Sequence, residues 1–250
     1  MRKLALTLTL AACVCGSAFA QEEPIPPKRS RMVKVGLFGG FTPGMLFPDI
    51  KPVNDFLSAG RGARLKEDGM FLWGGAGAAY IMLVPNLRVG GAGMSGALKS
   101  TSVSTIGIRR DAELRIGYGG VTIEYVVPIV ERFDFAVGGL LGAGGIDLIL
   151  RQSNGGTNTW IGEQNYLASG LGTPANNITR TLSGSFFIYV PSASFEYSFL
   201  GWMALRVGAS YVGMAAPSWK VDGNYDLIGV PADVSGKGFM INAGVLIGTF

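Results

Sequence analysis

Between residues 182 and 214 the chain reads LSGSFFIYVPSASFEYSFLGWMALRVGASYVGM, and its side chains sort into two faces with a period of two. Phe187, Tyr189, Pro191, Ala193, Phe195 and Tyr197 share one face, while Phe186, Ile188, Val190, Ser192, Ser194 and Glu196 share the other. After a short break at 198–201 the alternation resumes. Met203, Leu205, Val207, Ala209 and Tyr211 point one way, and Ala204, Arg206, Gly208 and Ser210 the other. Successive side chains of a strand point to opposite faces, so this period is the strand signal, and a Gly-containing break between two such runs is a hairpin. Each arm has about the ten residues that a tilted strand needs to cross a bilayer. One face is greasy, with aromatics near its ends; the other carries Ser, Gly, Glu and Arg. That division suits lipid on one side and a polar barrel interior on the other. The stretch predicts a transmembrane β-hairpin.

The rest of the chain falls into similar segments. Residues 33–41 predict a first strand, followed by a long connection over 42–68 in which 53–65 could hold a short helix started by Pro52. A second strand is expected over 69–83, with a tight turn at Val84-Pro85-Asn86. A third spans 87–106 and turns at Arg109-Arg110-Asp111; a fourth spans 112–127 and closes at 128–132. A fifth covers 133–151. The Gly/Asn/Thr-rich segment 152–181 reads as a long loop. The hairpin supplies strands six and seven, 217–236 is another loop, and 237–250 is strand eight. Tight links follow strands two, four and six, and long ones follow one, five and seven. Such alternation in an even-stranded antiparallel chain is barrel topology, with periplasmic turns and extracellular loops.

Composition agrees. Charged residues are 15% of the chain and glycines number 39, and the mean hydropathy is +0.34. A soluble domain usually carries about 25% charged residues. At the N-terminus, Met1-Arg2-Lys3, the apolar run 4–14 and Ala18-Phe19-Ala20 predict a secretory signal peptide over 1–20. Leu10-Ala11-Ala12-Cys13 also fits a lipobox, so lipid attachment at Cys13 stands as a second reading. With the signal removed, Cys13 and Cys15 leave too, and the formal charge falls from +4 to +2. No disulfide is then expected, and nothing marks a nucleic-acid surface. Residues 21–32 are Pro-rich and charged and predict an extended periplasmic linker, which leaves 33–250 as the barrel domain. The chain stops on Phe250. Stepping back by two from it gives Gly248, Leu246, Gly244 and Asn242, whereas Ile241, Ala243, Val245 and Ile247 form the apolar set. Whether Phe250 faces lipid or lumen is open at this stage.

Two phrases recur beside the turns. Thr122-Ile123-Glu124-Tyr125 echoes Ser194-Phe195-Glu196-Tyr197, and Leu87-Arg88-Val89-Gly90-Gly91 echoes Leu205-Arg206-Val207-Gly208-Ala209. In this the chain resembles the small eight-stranded bacterial outer-membrane barrels of the OmpA/OmpW type, at superfamily level and over residues 33–250. The resemblance implies an all-β fold: an eight-stranded antiparallel transmembrane β-barrel in a bacterial outer membrane. One stretch competes. Residues 69–87 carry no charge over the length of a membrane helix, although they are Gly-rich and uncapped.

Chemistry is sparse. The chain has no histidine, which removes the usual general base or orienter of a barrel hydrolase. With neither His nor a retained Cys, no metal site or cofactor is expected. Gly91-Ala92-Gly93-Met94-Ser95-Gly96 matches a dinucleotide-binding spacing, but a polar, strand-like run follows where a helix is required. The informative residues are Arg88, Glu124, Glu196 and Arg206. Each lies near an expected tight turn on the face opposite the apolar set. Charge facing lipid is costly, so all four are expected in the lumen as a charge cluster. Asp134, Asp147, Lys34 and Arg115 are weaker candidates for the same interior. Gly-rich runs at 74–79, 90–96 and 138–145 either ease close strand approach or leave a small cavity.

These features predict a non-enzymatic, monomeric outer-membrane protein whose partners are the lipid bilayer and, through loops 42–68, 152–181 and 217–236, extracellular ligands. The alternative is a narrow, OmpW-like channel for small apolar solutes. A lipoprotein or helical inner-membrane component is a third reading.

Overall fold

The computed structural model describes residues 36–105, 107–153, 177–231 and 233–249. The expected signal peptide, the linker, Lys34, most of the 152–181 loop and Phe250 lie outside these residues. The described strands are β1 (Leu37–Phe41), β2 (Gly44–Pro48), β3 (Met70–Tyr80), β4 (Leu87–Val103), β5 (Arg109–Val130), β6 (Phe133–Ser153), β7 (Asn177–Leu200), β8 (Met203–Val221), β9 (Tyr225–Asp226) and β10 (Gly238–Gly248); one helix, α1 (Lys51–Ala59), precedes β3.

The strands make one antiparallel sheet that closes on itself. β1 and β2 lie end to end, both pairing with β10 on one side and β3 on the other. From β3 the order runs through consecutive hairpins to β8, and β8 pairs with β10 over Val212 to Met203. With β1 and β2 counted as one stave, and the two-residue β9 as an outgrowth of β8, the ring has eight staves. Every stave has a neighbour on each side, so its backbone groups are satisfied without water and no edge is left open. This is an all-β, eight-stranded antiparallel barrel. Three tight turns, after β3, β5 and β7, share one rim with the start of β1 and the end of β10. The β4–β5 connection and α1 lie at the opposite rim.

Several boundaries differ from expectation. The first stave does not end at Phe41. It pauses at Thr42-Pro43 and resumes as β2, because Pro43 has no N–H to donate to the ladder. The gap is still tied in, with Thr42 N–H donating to Gly74 O and Ala243 N–H to Pro43 O, at 2.9 and 3.1 Å. Arg109, Arg110 and Asp111 are not a turn but the start of β5. β4 instead ends at Val103, Gly107 takes a positive φ of 81° and Ser104 Oγ accepts from Ile108 N–H. β5 runs through Pro128 with a register shift before Val130, and its turn is Glu131-Arg132, Arg132 adopting φ 68°. The helix begins at Lys51, earlier than expected, with Pro52 in its first turn, where the missing N–H costs nothing. The uncharged stretch 69–87 is β3 and its turn. Among the described residues no helix is long and apolar enough to cross a membrane.

The two faces of the wall separate cleanly. Phe187, Tyr189, Phe195, Tyr197, Leu205, Val207 and Tyr211 point outward, as do Ile241, Val245 and Ile247 of β10. Outward aromatics gather towards both rims, Phe133, Phe135 and Phe195 at the turn end and Phe71 and Trp73 towards the other. Aromatic girdles flanking an apolar band are the mark of a lipid-facing wall. Leu246 and Met240 point inward with Asn242, Gly244 and Gly248.

The interior is the main correction. It is polar only in the turn-end half. Towards the long-loop end the inward positions are Leu72, Met94, Leu114, Ile116, Ile146, Leu148, Phe186, Ile188 and Met240, which pack as one core. Eight staves enclose a bore that side chains fill, so this half packs like the core of a soluble domain and selects apolar residues on both faces of a strand.

Candidate functional site

The four charges singled out in the sequence meet in the turn-end half of the lumen. Register alone sets two pairs: Arg88 lies opposite Glu124 on the β4–β5 ladder, and Arg206 opposite Glu196 on the β7–β8 ladder. Inward phase and equal height then bring the pairs together across the bore. Arg88 Nε donates to Glu124 Oε2 at 2.7 Å, while its Nη1 and Nη2 donate to the two oxygens of Glu196 at 2.8 and 2.5 Å. Arg206 completes the square, 3.2 Å from each oxygen of Glu124 and 2.6 Å from Glu196 Oε1. Arg88 is wholly buried, at 0% exposure. Phe38 stacks on the group, its ring 4.9 Å from the Arg88 guanidinium carbon and 5.6 Å from that of Arg206. Two cations and two anions cancel, which is the condition under which such charges tolerate a buried site. A forked, planar guanidinium bonding both oxygens of a carboxylate is also rigid. The square closes the bore at this height.

The weaker candidates divide. Asp134 is inward and buried, opposite Glu196 on the β6–β7 ladder. Arg115 and Asp147 are not in the lumen. They sit opposite each other on the outward face of β5 and β6, where Arg115 donates to Glu113. They lie near the long-loop ends of strands of 22 and 21 residues, about twice the length a bilayer crossing needs, so the cost of lipid exposure does not force an outward charge there into the lumen.

Above the square is a chamber of about 70 Å3, lined by Thr42, Glu124, Ser194, Arg206, Ser210 and Asn242 with Gly and Ala from β3, β4 and β6. Among the described residues, four buried atoms facing this region have no hydrogen-bond partner: Thr42 Oγ1, Arg206 Nε, Ser210 Oγ and Asn242 Oδ1. A void of this size holds a few waters, which such groups need. The glycines serve both expected roles. Gly77 and Gly139 border the chamber, while a Cβ at Gly138 would collide with Ile123 O and stand 3.0 Å from Glu124 Cγ. Beyond the chamber, Tyr118 Oη lies 3.4 Å from the sulfurs of both Met94 and Met240 and begins the apolar plug. Thr42, Ser210 and Asn242 went unmarked in the sequence, since small polar residues at inward positions carry no pattern of their own.

The long-loop rim is capped by α1. Val53 and Leu57, four residues apart on one helix face, join the core of Leu114 and Leu148. The fully buried Asn54 ties the returning chain down, its Oδ1 accepting from Leu65 N–H at 2.8 Å and its Nδ2 donating to Leu65 O at 3.1 Å. Between α1 and residues 227–231, 233 and 234 lies a cleft of about 520 Å3, walled by Val53, Phe56, Leu114, Leu148, Leu182 and Trp219. Among the described residues no group of three or more acidic, His or Cys side chains could hold a metal.

No family model matches this chain, and no curated protein matches it. Solved structures similar in outline include Ail, the attachment invasion locus protein of Yersinia pestis, in complex with the heparin analogue sucrose octasulfate, at 12% identity and TM-score 0.35, covering 85% of this chain and 97% of that one. Acinetobacter baumannii CarO2 gives 11%, 0.36, 86% and 99% in the same order. The outer membrane protease OmpT from Escherichia coli gives 10%, 0.31, 90% and 99%. The barrel assignment here stands on the strand pairing itself.

Proposed function

We propose that this chain is a non-enzymatic outer-membrane β-barrel with a structural or surface-interaction role, its turn-end rim in the periplasm and its capped rim outside. The observation that carries this is the filling of the bore. Arg88, Glu124, Glu196 and Arg206 close it at one level, and the core from Met94 and Tyr118 up to Val53 and Leu57 closes it above. A wall with outward aromatics near both rims supports residence in a bilayer. The absence of histidine from the sequence removes the commonest hydrolytic machinery. A closed ring offers no strand edge to a second copy, which supports a monomer.

Surface labelling tests location and orientation together. Ile228 is 92% exposed on the capped rim, and Gly201 lies in the β7–β8 turn with open space around it. In intact cells a membrane-impermeant maleimide should label Ile228→Cys and spare Gly201→Cys until the membrane is permeabilised. The opposite pattern would overturn the orientation, and labelling of neither in a folded protein would overturn the location.

A second reading, passage of small apolar solutes, is favoured by one observation, the apolar cleft beside α1. Its volume is that of a small-molecule site. Passage would need a lateral exit, because the core lies directly below.

A further inference from the structure

We propose that the outward face of β4–β6 at the long-loop end is a binding site for a phosphate-bearing lipid headgroup of the outer leaflet. The proposal rests on the outer-membrane reading above. Its centre is Glu113, an outward-facing residue that is nonetheless buried. Arg115 Nε donates to its Oε1 at 2.8 Å, Arg151 Nη1 to its Oε2 at 3.3 Å, and Lys99 Nζ stands 3.5 Å from Oε1. The exposure is lopsided: the Lys99, Arg115 and Arg151 side chains are 71%, 52% and 46% exposed and that of Glu113 is 5%. The carboxylate is saturated and covered, so what the wall presents is guanidinium and ammonium. Asp147, opposite Arg115, and Asp111, bonded by Arg109 and Thr101, flank the group and keep its net charge modest. The positive surface arises from which groups are covered, not from excess charge.

The height of the group decides the partner. Tyr125, at the turn-end girdle, and Arg115 are ten residues apart on β5. At about 3.4 Å per residue and a tilt of about 40°, that is roughly 25 Å, the thickness of the apolar band. The three cations therefore stand at the outer interface, where lipid headgroups are. Directly below them the outward positions are Ala97, Gly117, Gly119, Ala143 and Gly145, so no bulky side chain holds acyl chains off the wall. Arginine suits phosphate by its planar fork, and a fixed cation near an anionic surface contributes about five-fold in affinity.

The test is lipid binding to the full barrel in mild detergent, followed by native mass spectrometry. The probes are bisphosphorylated lipid A and the neutral lipid phosphatidylcholine. Wild type should retain lipid A over phosphatidylcholine, and raising the salt should weaken retention. The triple variant Lys99→Gln/Arg115→Gln/Arg151→Gln should bind lipid A more weakly by roughly a hundred-fold, and each single variant by about five-fold. Should the triple variant fail to fold, the singles decide. Glu113→Gln frees three cations and should bind more tightly; weaker binding would mean that the cluster only braces the wall and would overturn the site. Equal retention of phosphatidylcholine, or unchanged binding in the folded variants, would overturn it too. Displacement of lipid A by millimolar inorganic phosphate would reassign the group to an adventitious ion only. Loss of the shift in gel mobility between boiled and unboiled wild type would instead refute the barrel reading on which the proposal stands.

Discussion

Arg88 is the residue on which the turn-end plug depends, because it is wholly buried and all three of its guanidinium nitrogens bond the two glutamates. Replacing it with Gln leaves two carboxylates facing a single arginine in a buried site, at a cost on the order of 3–5 kcal/mol. Glu196→Gln and Arg206→Gln should each destabilise as well, and the double variant should lose less than their sum, because the partners are in contact. Urea unfolding in detergent measures all four, and strict additivity would show that the square is not a unit. At the surface, Asp222 in the β8–β9 turn accepts from Thr181 N–H and then from Arg180, which holds its carboxyl below the ordinary carboxylate range. A depressed folded value means that its contribution is present above the unfolded value of about 4 and is lost as pH falls through the folded one. Protection of the Thr181 amide from hydrogen exchange should therefore drop on acidification below about pH 4 in wild type, and vary much less in Asp222→Asn. These charges differ in how far they could be read beforehand. The phase of Arg88 and Glu196 relative to apolar neighbours told their face. Arg115 and Asp147 were misread because the cost of lipid exposure was extended along strands about twice as long as a bilayer crossing needs.

Among the elements, the strands with one apolar face were legible except at their long-loop ends, where β7 begins five residues before and β8 ends seven residues after the expected hairpin, and the tight turns were legible to within three residues. What escaped was set by tertiary pairing. β1 and β2 make one stave across Thr42-Pro43 only because β10 and β3 hold both halves. The position of α1 depends on Asn54 and on the core beneath it, neither of which is a local signal. Asn54→Leu keeps the volume but removes three hydrogen bonds, to Leu65 N–H, Leu65 O and Glu67 Oε1. The cap should loosen by about 1–3 kcal/mol, because the Leu65 backbone groups are left unpaired. Limited proteolysis should then cut within 51–65 several times faster while the barrel still shifts on gels. Unchanged cleavage would mean that the apolar face of α1 suffices to hold the cap.

For the whole molecule, strand count fixes what the interior can be. Eight staves leave a bore about filled by side chains, whereas water-filled channels appear at roughly sixteen. The sequence announced the charged half of that filling, since ions near turns stand out. It concealed the apolar half: where both faces of a strand are apolar, alternation no longer says which face is inside. Among the described residues the square, the small chamber and the capped core fill the bore, so no continuous aqueous path is expected. Single-channel recording in planar bilayers tests this most directly. Wild-type protein should give small, rare conductance events or none. Large, stable steps from the monomer would contradict a filled barrel and put the channel reading first.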